Sequence, residues 1–258
     1  MRAGIYQGAC AGLTPRERVD RLRTAIDGSD LDLVVCPELF ASGYNVGELL
    51  HERAEPRGGP VMTAMGEVAR AQGTAIVYGY PERDGDTVYN AAAVIGATGE
   101  LVANHRKTVL PPGMEPEHFA PGDTMTVFSL DDVRCCALIC YEAEFPEAVR
   151  AAAEAGVHVI VAPTALAEQW RSVAMQLMPT RAFENGVWLL YANHAGVENG
   201  ARYLGASCIA APDGSDAARA GSDEELIVAD LDMERVTAMQ ARLPYLRDIG
   251  ALRAAVRS

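Results

Sequence analysis

The most informative segment of the sequence is Val133-Arg134-Cys135-Cys136-Ala137-Leu138-Ile139-Cys140-Tyr141-Glu142-Ala143-Glu144-Phe145-Pro146-Glu147. Its first seven residues form an apolar run typical of a strand, and Pro146 opens an alanine-rich segment that predicts a helix to about Gly156. Cys140 lies between them, where a strand-to-helix turn directs the next backbone N–H groups at whatever the side chain attacks. Cys140 is therefore a candidate nucleophile in acyl transfer. The alternative is a buried core cysteine, because free cysteine is among the most buried residue types.

Outward from this stretch, strand-like and helix-like segments alternate to both ends of the chain. No low-complexity linker and no repeat interrupts them, which predicts a single domain over residues 1–258. A capping box at Thr14-Pro15-Arg16-Glu17 marks a helix start, and Ala97-Thr98-Gly99 marks a hairpin. Besides an N-terminal strand, the predicted strands cover residues 31–36, 74–80, 88–95, 101–106, 157–162, 187–193, 204–211 and 226–230. The predicted helices cover about residues 14–28, 60–72, 146–156 and 167–184.

Many of these strands are apolar along their whole length, which indicates an α/β fold whose sheets are buried on both faces. Two sheets with helices outside each of them fit this pattern, and one doubly wound sheet also fits it. Periodicity alone does not distinguish the two architectures.

The composition argues against several classes of partner. The formal net charge of −13 repels phosphate backbones, so no nucleic acid is expected, and no apolar run is long enough to span a membrane. The N-terminus leads straight into a strand pattern, and the six cysteines lack the spacing of a disulfide framework. A nucleophilic thiol needs reducing surroundings, so a cytoplasmic location is expected. The five histidines do not fall at metal-ligand spacing, and we expect no metal and no other cofactor.

Two further segments place a charged residue directly after a strand-like run. Glu38 follows the run that ends at Pro37, and Lys107 follows residues 101–106 and precedes a proline-rich loop. A parallel sheet would bring such strand ends together, although a single Glu or Lys is ordinarily a surface residue.

Together these segments resemble the nitrilase, or carbon–nitrogen hydrolase, superfamily, whose members carry a glutamate, a lysine and a cysteine in this chain order. The matching motifs, which span nearly the whole chain, are Pro37-Glu38-Leu39-Phe40 with Ser42-Gly43-Tyr44-Asn45, Arg106-Lys107-Thr108 with Leu110-Pro111, Cys140-Tyr141-Glu142 with Phe145-Pro146-Glu147, Arg181-Ala182-Phe183-Glu184-Asn185, Ala192-Asn193, and Gly205-Ala206-Ser207 with Pro212-Asp213-Gly214. The resemblance implies a four-layer α-β-β-α sandwich that pairs across a helical face into a homodimer or a higher homo-oligomer.

The resemblance also implies that Glu38, Lys107 and Cys140 are catalytic, and elementary chemistry explains the combination. A thiol is mostly protonated at neutral pH, so a base or a cation has to favour the thiolate. Glu38 would take the thiol proton, return it to the leaving nitrogen and then activate water, which it would do best if burial raised its pKa. Lys107 and the backbone N–H of Tyr141 would form the oxyanion hole.

Two further acidic residues are candidates for supporting roles. Glu115 matches a second glutamate that orients substrate and lysine in amidases of the superfamily, with Glu117 as its rival. Glu142 is expected to buttress the loop or form a structural ion pair.

Pocket residues are harder to identify, because pockets are lined mainly by apolar side chains that look like core. Tyr44 could cover the substrate, and Ala165 and Trp170 fall where the superfamily lines its acyl pocket. Arg181 and Glu184, at i and i+3, are expected to form a structural ion pair.

The preferred function is an amidase that hydrolyses a small carboxamide through a cysteine thioester. Nitrile-hydrolysing members usually carry Cys-Trp-Glu where this chain has Cys140-Tyr141-Glu142. An N-carbamoyl amino acid hydrolase would use the same site, with Arg171 available to hold a substrate carboxylate. Two other hypotheses are a Cys-His hydrolase that uses His194 or His105, and a catalytically silent binding module on the same fold.

Overall fold

Two six-stranded sheets lie at the centre of the computed structural model, which describes residues 1–9 and 12–256. The strands are β1 (Arg2–Gln7), β2 (Leu33–Val35), β3 (Ala75–Asp84), β4 (Thr87–Ile95), β5 (Leu101–Arg106), β6 (Thr126–Leu130), β7 (Val133–Ala137), β8 (Val159–Pro163), β9 (Trp188–Ala192), β10 (Val197–Glu198), β11 (Ala201–Arg202), β12 (Cys208–Ala210), β13 (Asp216–Arg219) and β14 (Glu225–Asp230). The α-helices are α1 (Pro15–Ile26), α2 (Leu49–Glu52), α3 (Pro60–Gln72), α4 (Glu115–His118), α5 (Pro146–Glu154), α6 (Met178–Asn185), α7 (Glu234–Arg242) and α8 (Tyr245–Val256).

The two sheets have the same plan, with three parallel strands flanked by antiparallel ones. The first sheet has the order β14-β1-β2-β3-β4-β5, and its parallel strands are β1, β2 and β3. The second has the order β13-β12-β9-β8-β7-β6, and its parallel strands are β7, β8 and β9. The short strands β10 and β11 form a separate ribbon.

The apolar side chains define four layers. One core cluster contains Ile5, Val35 and Val77 of the first sheet together with Val161 and Leu190 of the second, so the sheets pack face to face. Helices α1 and α3 cover the outer face of the first sheet, and α5 and α6 cover that of the second. This α-β-β-α sandwich confirms the fold class that the resemblance implied and excludes a single doubly wound sheet.

Local signals for helix and hairpin are confirmed. The Thr14 hydroxyl accepts a hydrogen bond from the Glu17 N–H at 3.3 Å, and Glu17 Oε2 accepts one from the Thr14 N–H at 2.8 Å, which is the predicted capping box. Strands β4 and β5 pair as a hairpin through the predicted turn, where Gly99 has a φ of 88°.

Two predicted elements differ from the structure in form or extent. The helical segment expected over residues 167–184 is observed over residues 168–185, but it starts as a 3-10 turn and contains a π-helical turn at Val173–Leu177, directly before α6, where Pro179 has no N–H to continue the α-helical hydrogen bonds. The strand expected over residues 204–211 pairs only at β12, since Gly205 and Ala206 have φ values of 67° and 52° that turn the chain out of the sheet.

The prediction missed the strands β6, β10, β11 and β13 and the helices α2, α4, α7 and α8. Strands β6 and β13 are the edges of the second sheet, and neither contains a continuous apolar run. The five cysteines in the described part of the chain are buried and free, and Cys10 lies outside it.

Candidate active site

Three loops carry the predicted catalytic residues. Glu38 follows β2 and Lys107 directly follows β5, both in the first sheet, while Cys140 follows β7 of the second. The Glu38 N–H donates a hydrogen bond to the Thr164 carbonyl, just beyond β8, at 3.3 Å. The site therefore lies where strand ends of the two sheets meet.

The loop that carries Glu38 is fixed from both sheets. The Gly79 N–H donates to the Pro37 carbonyl at 3.1 Å, and a Cβ at Gly79 would lie 2.2 Å from the Leu39 nitrogen, so only glycine allows this approach. On the other side, His194 Nε2 donates to the Glu38 carbonyl oxygen at 2.7 Å. These contacts hold the Glu38 carboxyl in the interior, where it is fully buried.

A buried polar cluster joins Glu38, Lys107 and Glu115. Lys107 Nζ lies 2.6 Å from Glu38 Oε1 and 2.7 Å from Glu115 Oε1. Asn90 Nδ2 donates to Glu38 Oε1 at 2.7 Å and to Glu115 Oε2 at 3.3 Å. All four side chains are buried, so their interactions are screened little by solvent.

Burial and charge set the protonation states of this cluster. Burial raises the pKa of Glu38 to about 7, and the charge of Glu115 adds to the rise while Lys107 and Asn90 oppose it. Burial alone would lower the pKa of Lys107, but the negative charges of Glu38 and Glu115 raise it above its ordinary value, and ionisation of Cys140 would raise it further. Lys107 is therefore a fixed cation, and Glu38 can gain and lose a proton near neutral pH.

Cys140 lies on a strained turn at the start of a 3-10 helix, Cys140–Glu144. Its φ of 48° falls in the left-handed region, which is uncommon for a residue other than glycine. The surrounding structure has to hold such a turn in place.

The carboxylate of Glu142 holds this turn. Its Oε2 accepts hydrogen bonds from the Ile139 N–H at 2.7 Å and from His105 Nε2 at 2.8 Å. Its Oε1 accepts from the N–H and the hydroxyl of Thr108 at 2.9 and 2.6 Å. Because Thr108 follows Lys107, Glu142 ties the cysteine turn to the lysine loop.

The thiol of Cys140 is protonated in the resting site. Burial raises its pKa above the ordinary value and the charge of Glu38 adds to the rise, while Lys107, the Thr164 hydroxyl and the Ala165 backbone N–H act to lower it. A base therefore has to remove the proton as the sulfur attacks. Glu38 Oε2, which has no hydrogen-bond partner in the described structure, is available for this transfer.

A cavity of about 500 Å³ opens on Cys140. It is lined by Tyr44, Pro111, Pro112, Cys140, Tyr141, Glu144, Ala165, Leu166, Ala167, Trp170 and Val173. The structure thus brings the predicted pocket residues Tyr44, Ala165 and Trp170 together with the cysteine. Trp170 is 60% exposed, which places it at the outer rim. Within the described residues nothing accepts a hydrogen bond from the Tyr141 backbone N–H, which leaves it available to a bound oxyanion.

Tyr44 is bonded to the polar cluster through its hydroxyl group. Its hydroxyl donates to Glu115 Oε1 at 2.7 Å. Glu198 Oε2 accepts hydrogen bonds from the Tyr44 and Asn45 backbone N–H groups at 3.0 and 2.7 Å, and Glu198 Oε1 forms a buried ion pair with Arg18 at 3.2 Å. Helix α1 and the β10–β11 ribbon therefore hold the Tyr44 loop over Glu115.

The structure distinguishes the two candidate glutamates, Glu115 and Glu117, and places the arginines considered from sequence. Glu115 is buried in the cluster, whereas Glu117 is exposed. Arg171 is exposed and does not line the cavity. Arg181 and Glu184 form the expected ion pair at 2.9 Å.

Both candidate histidines are engaged away from the thiol. His105 contacts Glu142 and the Thr126 hydroxyl. His194 donates to the Glu38 backbone, and burial, with a smaller effect of Arg18, lowers the pKa of His194 to about 3. Neither imidazole is among the groups that shift the pKa of Cys140.

Sequence reasoning missed Asn90, Glu144 and Glu198. Asn90 had a usable signal, because it is an amide inside the otherwise apolar strand β4. Glu144 and Glu198 had no such signal. The partners of Glu198 are distant in sequence, and the carboxylate of Glu144 has no hydrogen-bond partner among the described residues. The assembled site offers a base, a fixed cation and a thiol around one cavity, which is the set that acyl transfer through a thioester requires.

A sequence model of the carbon–nitrogen hydrolase family matches residues 2–241. A Pseudomonas protegens protein described as a hydrolase in the pqqF 5′ region is 42% identical over 96% of this chain and 88% of its own length. A nitrilase of Pyrococcus abyssi is 37% identical over 84% of this chain and 82% of its own.

Among solved structures, the NitN amidase of Nesterenkonia sp. AN1 superposes with a TM-score of 0.86 at 32% identity, over 96% of both chains. A glutamate-to-glutamine mutant of that amidase shows covalent addition of the acetamide moiety of fluoroacetamide at its active-site cysteine.

Proposed function

The chain belongs to the carbon–nitrogen hydrolase family, and on this premise we propose that it is an amidase that converts a small carboxamide to a carboxylate and ammonia through a thioester on Cys140. The observation that carries the proposal is the buried Glu38–Lys107–Glu115 cluster next to the cavity that opens on Cys140. The amide chemistry at the cysteine of the Nesterenkonia amidase supports it.

In the first half of the reaction, the Cys140 sulfur attacks the amide carbonyl carbon while its proton passes to the Glu38 carboxylate. The carbonyl oxygen becomes an oxyanion beside the Lys107 ammonium and the Tyr141 N–H. The C–N bond then breaks, Glu38 gives its proton to the nitrogen, and ammonia leaves the thioester behind.

In the second half, water attacks the thioester carbonyl and Glu38 takes one of its protons. The same two donors stabilise the second oxyanion. The C–S bond breaks, the sulfur regains a proton from Glu38, and the carboxylate product leaves. A pKa of about 7 suits Glu38 to both transfers, because it must act as base and acid in turn.

Glu115 is proposed as a positioning residue in this reaction. It holds Lys107 Nζ on one oxygen, which it shares with the Tyr44 hydroxyl, and Asn90 bonds its other oxygen. This arrangement fixes the buried ammonium, and Tyr44, which bonds the same Glu115 oxygen, lines the cavity.

Amides are favoured over the neighbouring substrate classes by two observations. The solved structure that superposes over 96% of this chain is that of an amidase. A carbamoyl amino acid carries a carboxylate, and the lining of the cavity includes no arginine or lysine among the described residues.

Ammonia release from a panel of small amides, carbamoyl amino acids and nitriles tests the proposal. The wild type should hydrolyse amides, Cys140→Ala should not, and Cys136→Ala, which removes a buried thiol outside the cavity, should retain activity. Turnover of only nitriles or carbamoyl compounds would contradict the substrate class. Amide turnover by Cys140→Ala would contradict the nucleophile.

We also propose that the enzyme is a single domain, that it is cytoplasmic, and that it forms a homodimer without nucleic-acid or membrane partners. The free cysteines support reducing surroundings, and within residues 1–9 and 12–256 every helix is too short or too polar to cross a membrane. Helix α8 exposes Tyr245, Leu252 and Val256, which supports pairing through a helical face. Light scattering on the wild type and Leu252→Glu tests this: a monomeric wild type would contradict the dimer.

A further inference from the structure

Glu144 is the one acidic or basic side chain among the described residues that line the cavity at Cys140. It ends the 3-10 helix that Cys140 begins. With a rise of about 2 Å per residue, the two backbone positions are about 8 Å apart. A small acyl group bound to the sulfur can therefore extend to the Glu144 carboxylate.

The backbone of Glu144 is fixed while its carboxylate is left without a partner. Its carbonyl oxygen accepts a hydrogen bond from Arg181 Nη2 at 2.7 Å, and Arg181 Nη1 is engaged by Glu184 at 2.9 Å. Within the described structure, no group donates a hydrogen bond to the carboxylate oxygens of Glu144. The carboxylate is thus available to a ligand.

The electrostatic setting favours a cationic ligand. Burial raises the pKa of Glu144 above its ordinary value, with Lys107 and Arg181 opposing the rise. A bound ammonium group would donate charge-assisted hydrogen bonds to the ionised carboxylate. Tyr44, Tyr141 and Trp170 line the same cavity, and aromatic faces also attract ammonium groups.

We propose that Glu144 makes the enzyme selective for amides whose acyl group carries an ammonium group, and against amides that carry a carboxylate. The inference rests on the proposed amidase function and names the substrate class of that same site. A carboxylate in the acyl group would lie against Glu144 with no paired cation in the lining, and like-charge contact is an effective means of rejecting a substrate.

Three amides of similar length test the selectivity: 4-aminobutanamide is cationic, pentanamide is neutral, and succinamate is anionic. The wild type should favour 4-aminobutanamide over pentanamide by about ten-fold in kcat/KM, mainly through KM, and should use succinamate least. Glu144→Gln should remove the preference for the cation and raise succinamate turnover about ten-fold. Glu147→Gln makes the same charge change on an exposed residue outside the cavity and should behave as wild type.

The pH dependence of this preference shows whether the charge of Glu144 or the shape of the cavity causes it. Lowering the pH through the pKa of Glu144 should bring the kcat/KM ratio of 4-aminobutanamide to pentanamide towards one in the wild type but not in Glu144→Gln. Titration of Glu38, Lys107 and Cys140 changes kcat/KM for both substrates by the same factor, so it cancels in the ratio.

Failure of the selectivity inference and failure of the amidase proposal give different results. Equal use of the cationic and neutral amides by the wild type, or an unchanged preference in a folded Glu144→Gln, would overturn the inference and leave the amidase proposal standing. Absence of Cys140-dependent ammonia release from all three amides and from the wider panel would overturn the proposed function and the inference with it.

Discussion

Replacing Glu142 with glutamine tests whether the cysteine turn depends on a buried carboxylate rather than on packing alone. The wild-type side chain accepts four hydrogen bonds, from Ile139, from His105 and two from Thr108. Glutamine has nearly the same shape, but its NH₂ group cannot accept. One oxygen of the pair is lost as an acceptor, so up to two donors become unsatisfied in the interior.

Each buried donor left without a partner costs about 1–3 kcal/mol, so we expect Glu142→Gln to lower the free energy of unfolding by about 3 kcal/mol. For a chain of this size that corresponds to a fall in Tm of roughly 6 °C. Loosening the turn also moves the sulfur relative to Lys107, and a misplacement of about 1 Å can cost on the order of 10²-fold in turnover. Calorimetry and amide kinetics measure the two effects.

The effect of pH on this difference has a defined sign. Burial alone would raise the pKa of Glu142, but the hydrogen bonds from His105, Thr108 and Ile139 lower it below its ordinary value. A carboxyl whose pKa is lower in the folded state stabilises the fold above its unfolded pKa of about 4.3, and this contribution is lost as the pH falls further. The Tm difference between wild type and Glu142→Gln should therefore shrink in acid.

The matched control is again Glu147→Gln, which removes an exposed carboxylate five residues further along the chain. Its stability should stay within about 0.5 kcal/mol of wild type. If Glu142→Gln matched this control in Tm and in turnover, the idea that Glu142 holds the catalytic turn would be refuted.

The kcat/KM for amides should rise with pH through an apparent pKa of about 7, because Glu38 has to be ionised to take the thiol proton; a flat profile from pH 5 to 8 would exclude Glu38 as the base. Lys107→Met should lower kcat by about 10² or more, because the oxyanion loses a cationic donor. It should also destabilise the fold by about 3 kcal/mol at pH 8, because Glu38 and Glu115 lose their counter-charge. A melting temperature equal to that of the wild type would show that the cluster does not depend on the ammonium. Tyr44→Phe removes the 2.7 Å hydrogen bond to Glu115 and should cost about five- to ten-fold in kcat/KM, whereas Tyr203→Phe, which loses a 3.3 Å contact outside the cluster, should cost less.

The parts of the site that sequence predicts are those with a local cause. Glu38, Lys107 and Cys140 each follow a strand-like run, so each could be recognised locally; that the ends of β2 and β5 in one sheet meet the end of β7 in the other is visible only in the fold. The capping box at Thr14 and the hairpin at Gly99 are also local, which is why both were predictable.

The parts that sequence does not predict depend on burial or on distant contacts. Glu115 and Glu117 differ in burial alone, and nothing in the chain between them reveals which one faces inward. Glu198 reaches Arg18 and Tyr44 from more than 150 residues away, so its role in holding the Tyr44 loop appears only in the folded structure. In the segment before Pro179, the composition predicts a helix but not the π-helical turn at Val173–Leu177, which lies where the missing N–H interrupts the α-helical hydrogen bonds.

Rapid-quench mass spectrometry of the intact protein during turnover of an amide shows whether an acyl group resides on Cys140. We expect a mass increase equal to the acyl group in place of the thiol hydrogen, located in the peptide that contains Cys140, in wild type and in Cys136→Ala. We expect no such adduct and no ammonia release in Cys140→Ala. Amide hydrolysis that proceeds without an acyl adduct under conditions where deacylation is slowed, or an adduct that persists in Cys140→Ala, would contradict catalysis through a thioester on Cys140.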